Sequence, residues 1–390
     1  MLRNILFIIP YFILSIFSTN ALELSSEAEI SLLTCSPGDD FYESYGHSAL
    51  RVKDPVTKVD VVFNYGTFSF SEDFAIKFIK GELNYWVEPE PYFDFRYQYN
   101  YEGRSIYEQV LNLTQDQKQS IADYLLENAK PENKYYWYDF RFNNCSSKLR
   151  DVLEESTDVQ FSDEKSNETF RQMINGYVPY ADWYDLGTDV LLGATLDRKT
   201  TYAESMFLPD YLMKMFDDAK INGKPLVKEK RTLLDNGYHL YNEGKWANIF
   251  SPSAVFWLVL LLFLLFKIYY KGNWPPVFSI LFLTILGLSG WFMIILWFFT
   301  LHTAADWNLN ILWAIPFHFP MAFLLTKAKS WKWVAHYFFI CRVILIATLF
   351  IWPLFLPQQF NMAVLPLILI SLLCISSNMP ISLKDFNIKK

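Results

Sequence analysis

The chain of 390 residues is sparing with the side chains that do most nucleophilic and acid–base chemistry, holding four cysteines and five histidines. Cys341 and Cys374 sit in apolar runs, so a disulfide in the front part could join only Cys35 to Cys145. His47 is the one histidine before His239, which leaves a nucleophile in the first 200 residues a single imidazole to use as base. Acidic residues are nearly missing from the back of the chain. Residues 251–390 contain two Asp/Glu and nine Lys/Arg, out of 41 and 34 in the whole chain, which leaves the first 250 residues with 39 acidic against 25 basic. That balance of −14 repels phosphates and argues against nucleic acid as a partner.

What the back of the chain does contain is apolar length. Five runs, at about 253–270, 276–300, 308–326, 333–352 and 360–377, approach the length a bilayer core requires. Lys267, Lys271, Lys327, Lys329, Lys332, Arg342, Lys384, Lys389 and Lys390 all fall on one side of such a set, while loops 301–307 and 353–359 carry no Lys or Arg. This one-sided distribution predicts five spans, with the C-terminus cytoplasmic and the front domain outside. Arg3, the apolar stretch Ile5–Phe17 and Thr19-Asn20-Ala21 read as an export signal over residues 1–21. The expected organisation is a signal, an exported domain over 22–250 and a membrane domain over 251–390. In the loop after the second span, His302 and Asn308 put polar groups where the exported domain would rest on the membrane.

The most informative stretch is Asn143-Asn144-Cys145-Ser146-Ser147-Lys148-Leu149-Arg150-Asp151. An aromatic run over 135–142 alternates like a strand before it, and Leu149, Val152 and Leu153 follow on one helical face. Asn144 is a good N-cap, so Cys145 is expected in the first helical turn, where free N–H groups and the dipole stabilise a thiolate. His47 lies in Tyr45-Gly46-His47-Ser48-Ala49-Leu50-Arg51-Val52, at the head of a strand. A second strand over 59–64 and the connection 53–58 predict a hairpin, with cross-strand partners summing to about 112. Asn64 then stands opposite Ser48 and Tyr65 beside His47, which makes Asn64 a candidate to orient the imidazole. Further expectations are a strand at 28–35, a helix from Ser71 to Lys80, an irregular stretch at 92–101, a strand at 104–113 and a helix opened by the capping box Thr114–Gln117. Residues 213–250 read as a charged, partly helical connection.

The order of histidine then cysteine, with the cysteine opening a helix after an Asn, resembles circularly permuted papain-like proteins, which include NlpC/P60 peptidases and lecithin:retinol acyltransferases. Tyr45-Gly46-His47-Ser48, Phe63-Asn64-Tyr65-Gly66, Glu102-Gly103-Arg104, Asn143-Asn144-Cys145 and the five-run tail together resemble the Lnb family of bacterial lipoprotein N-acyltransferases. The resemblance implies an α+β permuted papain-like catalytic domain followed by an all-α domain of five spans. It implies Cys145 and His47 as catalytic, with Asn64 third ahead of Glu43. It adds Glu43, Tyr45, Tyr65, Arg104 and Asn144 as supporting residues. The wider superfamily usually has a second histidine where this chain offers Asn64, and Glu-His where it has Ser146-Ser147.

The function expected is acyl transfer from a phospholipid, through a Cys145 thioester, to the α-amine of a diacylated lipoprotein at the outer face of the bacterial inner membrane, with no metal or cofactor. Two other readings stay open: a membrane-tethered cysteine peptidase or amidase acting on peptidoglycan, and a non-enzymatic receptor stapled by a Cys35–Cys145 disulfide.

Overall fold

A computed structural model describes residues 22–162, 164–177, 183–237, 250–269 and 275–378. The expected signal over 1–21 and the basic residues Lys271, Lys384, Lys389 and Lys390 lie outside the described residues. The chain divides into two compact units that interleave in sequence. One comprises residues 1–71, 83–166 and 201–239, and the other 72–82, 167–200 and 240–390.

The first unit is built on a seven-stranded antiparallel sheet. Its strands are β1 (Glu29–Cys35), β2 (His47–Asp54), β3 (Val59–Thr67), β4 (Asn84–Pro91), β5 (Ile106–Leu111), β6 (Tyr135–Trp137) and β7 (Val227–Leu234), in the order β7-β5-β1-β2-β3-β4-β6. The central strands are covered on both faces, which is why β1 and β2 read as nearly unbroken buried runs. On one face Ile30, Leu32, Leu50, Val52 and Phe63 meet three helices: Gln115–Asn128, Cys145–Ser156 and Pro209–Asp218. On the other, Leu33, Cys35, Ala49, Val62 and Ile106 meet Phe95 and Tyr99 of helix Tyr92–Tyr101.

That last helix replaces the irregular stretch expected at 92–101. Aromatic residues are mediocre helix formers, but Phe95 and Tyr99, one turn apart, are buried on the sheet, and tertiary packing overrides propensity. The strand β7 is likewise unexpected, lying in the supposed connection 213–250. It is an edge strand whose Lys228, Glu229 and Lys230 are all exposed, so it lacks the apolar alternation that announces a strand. The aromatic run over 135–142 is a strand only to Trp137. Asp139 then accepts the Arg141 and Phe142 N–H groups through its carboxylate and turns the chain.

In the second unit, three helices among the described residues are long and apolar enough to cross a membrane: Pro252–Tyr269, Pro276–Phe299 and Lys332–Trp352. Val364–Asn378 is apolar but 15 residues long, about 22 Å of helix against a core of about 30 Å. The stretch expected to be a third span, 308–326, is not one helix. It breaks into a 3-10 turn at Leu309–Leu312, a four-residue helix at His318–Met321 and a 3-10 run at Ala322–Lys329. Pro316 and Pro320 remove donors and bar helical neighbours, and the broken backbone is buried within the unit at Trp313, Ala314 and Ala322. Helix Pro276–Phe299 admits it closely, since a Cβ at Gly290 would collide with the Ala314 carbonyl and one at Gly287 with the Phe319 N–H.

Stretch 167–200 is tied into this second unit by a polar network. Arg171, 1 % exposed, reaches Asp189 at 2.9 Å, Asp197 at 2.9 Å and the carbonyls of Leu192 and Gly193. Asn361 Nδ2 donates to Asp185 and Asp189, and Asn308 Nδ2 to the carbonyls of Val190 and Leu191.

Candidate active site

Helix Cys145–Ser156 begins where its sequence says it should. Asn144 Oδ1 accepts the N–H groups of Ser146 and Ser147 at 2.9 Å each, and Ser147 Oγ accepts the Asn144 N–H at 2.8 Å, a reciprocal box that closes the first turn. Asn144 Nδ2 donates to the carbonyls of Phe140 and Phe207, which pins the helix start to two loops. Leu149, Val152 and Leu153 are buried against the sheet, so the helix cannot roll, and Cys145 is held at its head.

The observed hairpin register differs from the expected one by one residue. Leu50 pairs with Phe63 and Arg51 with Val62, a sum of 113. A slip of one changes which face each side chain occupies. Tyr65 therefore joins the buried face, 2 % exposed and packed with Leu50 and Phe63, rather than flanking His47. Asn64 instead shares the face of His47, and its Oδ1 lies 2.6 Å from His47 Nε2. Asn64 Nδ2 donates in turn to Glu90 Oε1 at 3.0 Å, which fixes the amide so that Oδ1 is the acceptor and His47 Nε2 carries the proton.

The other imidazole nitrogen is left for Cys145, and a side-chain hydrogen bond joins the two residues. Burial resists ionisation of the Cys145 thiol, but His47, the Ser48 N–H and the Ser146 hydroxyl outweigh it and bring the thiol down to about 7. Burial likewise works against a charged His47, yet the Cys145 charge, the bond to Cys145 and the bond to Asn64 leave its pKa raised. Both shifts favour a thiolate beside an imidazolium. Gly66, at φ +95°, completes the place: a Cβ there would lie 3.6 Å from Cys145 Cβ and 3.9 Å from His47 Cε1. Cys35, by contrast, is a free thiol paired across the strands with His47, and burial pushes it up to about 12. Cys35 and Cys145 form no disulfide.

Of the other residues singled out in the sequence, Arg104 is buried beneath the site. It donates to the Ser36 carbonyl, pairs with Glu102 at 3.0 Å and Glu43 at 3.4 Å, and stacks on Tyr99. Tyr45 packs its ring on Phe140, itself against Phe207. His302 and Asn308 belong to the second unit, where His302 bonds the Phe78 carbonyl at 2.7 Å and Asn308 holds the carbonyls already described. Sequence reasoning missed Glu90, and it quoted Gly66 within a motif without giving it a role. It also missed a run of rings, Tyr138 on Tyr85 (4.6 Å), Tyr85 on Phe68 (5.0 Å) and Phe68 on Phe70 (5.0 Å), that leads from Cys145's surroundings to an exposed phenylalanine. Glu90 could have been found only from the pairing of β3 with β4, which sets Asn64 against Glu88 and brings the next residue on that face beside it.

No curated protein and no solved structure matches the chain. Two family models do. Residues 18–183 match the Lnb N-terminal periplasmic domain, and residues 243–385 match the Lnb transmembrane domain. Together they take in most of the sequence, in the order that a sheet-rich front and an apolar helical back require, and a periplasmic domain followed by a transmembrane one fits an inner-membrane protein. The chain is an Lnb-type protein.

Proposed function

We propose that this protein is a lipoprotein N-acyltransferase with Cys145 as nucleophile, His47 as base and acid, and Asn64 as the residue that orients the ring. The observation that carries the reading is the hydrogen-bonded series Cys145, His47, Asn64, Glu90, in which the imidazole is held by one nitrogen and free to exchange a proton through the other. Cys145 thiolate attacks an ester carbonyl of a phospholipid, forming a C–S bond and sending the carbonyl π electrons to oxygen. Collapse breaks the ester C–O bond, and the departing alkoxide takes the imidazolium proton to leave as lysophospholipid. The α-amine of a diacylglyceryl-cysteine then attacks the thioester, gives a proton to His47 and releases the thiolate, so the enzyme returns to its starting state with an amide made. The exposed end of the ring run at Phe70 favours an acyl chain over a glycan strand.

Supplied with phospholipid and a diacylated lipopeptide, the full chain should add one amide-linked acyl chain and release an equal amount of lysophospholipid. Without acceptor, wild type but not Cys145→Ala should accumulate a hydroxylamine-sensitive acyl adduct. Peptidoglycan fragments cut while the lipopeptide stays unchanged would install the peptidase reading instead.

A further inference from the structure

A thioester-forming step needs donors for the oxyanion, and one is supplied by the helix start. The Cys145 N–H has no acceptor within its own helix, since Asn144 Oδ1 serves the next two amides. A second donor stands across from it. Tyr136, on β6 opposite Tyr85, has a buried hydroxyl whose oxygen meets the Gly66 N–H but whose proton has no acceptor among the described residues. A buried donor left unsatisfied calls for an explanation, and one that borders reacting atoms points to chemistry.

The position of that hydroxyl is marked by Gly66. The Cβ that would approach Cys145 Cβ to 3.6 Å and His47 Cε1 to 3.9 Å would also lie 4.0 Å from Tyr136 Oη. Nucleophile, base and phenol thus surround one point, and glycine is what lets a carbonyl group come that close. The ring itself is braced, with Tyr65 at 6.1 Å on one side and Lys148 Nζ 5.0 Å from its centroid. Burial, then the nearby Cys145, keeps the phenol well above its usual pKa, so it is present as a neutral donor.

We propose that Tyr136 is a catalytic residue whose hydroxyl, together with the Cys145 N–H, binds the oxyanion formed when Cys145 attacks an acyl carbonyl. This rests on the reading of Cys145 as an acyl-accepting nucleophile. As the C–S bond forms, the carbonyl oxygen gains the electron pair and accepts both hydrogen bonds; when the ester C–O bond breaks, the pair returns to the carbonyl and the bonds weaken. No proton leaves Tyr136 at any stage.

The test compares two reactions of the same sulfur in the full chain. Acylation by p-nitrophenyl butyrate passes through an oxyanion, whereas alkylation by iodoacetamide does not. Tyr136→Phe keeps the ring and its packing, and it should slow the acylation burst about a hundredfold while leaving the alkylation rate at the same pH within about twofold. Equal losses in both rates would make the hydroxyl merely structural and overturn the proposal. An undiminished burst in Tyr136→Phe would overturn it alone, whereas a wild type with no burst and no phospholipid-derived adduct would overturn it together with the acyl-transfer reading.

Discussion

Cys145 is the residue on which opposing forces meet, since burial disfavours its charge and His47 restores it. The balance gives a testable pH dependence. Alkylation of Cys145 by iodoacetamide should rise through a midpoint near pH 7 in the wild type. Loss of the cationic partner in His47→Ala removes the main force that lowers the thiol and leaves burial acting, so the midpoint should move upward, to or beyond the ordinary thiol value of about 8.5. An unmoved midpoint would dissolve the ion pair. Cys145→Ala and His47→Ala should each abolish acyl transfer, and the double variant should be no worse, because the pair acts as one device. Asn64→Ala and Glu90→Ala act through the ring rather than on substrate, so each should cost about ten- to a hundredfold in kcat with KM little changed. Glu90→Ala at full rate would show that Asn64 holds its orientation unaided.

At the scale of the element, the head of helix Cys145–Ser156 is the part most exposed to a single change. Asn144→Ala removes a cap and strips partners from two backbone carbonyls, which should lower stability by about 1–2 kcal/mol in thermal unfolding and reduce acylation as the helix start loosens. This helix was legible in the sequence because its signals, the cap and the apolar face, lay within ten residues, although the reciprocal box of Asn144 and Ser147 was not read there. The hairpin was legible as a hairpin, but its register was not. A shift of one residue turns on the conformation of the turn over 55–58, and the sequence pattern there holds no Asn-Gly or Gly-Gly pair to dictate it. Other elements were hidden because what stabilises them is remote. Helix Tyr92–Tyr101 forms for the sake of two rings, β7 is held by its backbone ladder with β5, and 308–326 looked like a span until its prolines met the glycines of the neighbouring helix. Glu90 and Tyr136 were invisible for the same reason, since their meaning depends on strand partners 26 or more residues away.

For the whole molecule, the one-sided Lys/Arg pattern makes a topology prediction that helix length alone does not. Reporter fusions after Lys271, Asp306, Lys332, Gln358 and Lys390 should read in, out, in, out, in, and an outside signal at Lys390 would end the five-crossing proposal. Within the second unit, Arg171→Ala should destabilise by about 3–5 kcal/mol, because Asp189 and Asp197 would be left as buried charges without their cation. A detergent-solubilised variant that melts with the wild type would refute this. The same network orders events in time. Asp185 and Asp189 leave the ribosome 176 and 172 residues ahead of Asn361, the amide that receives them. Stretch 167–200 thus cannot complete its contacts until the loop that carries Asn361 has been made. The chain passes between its two units five times, so neither can be released by a single cut and studied as a complete body.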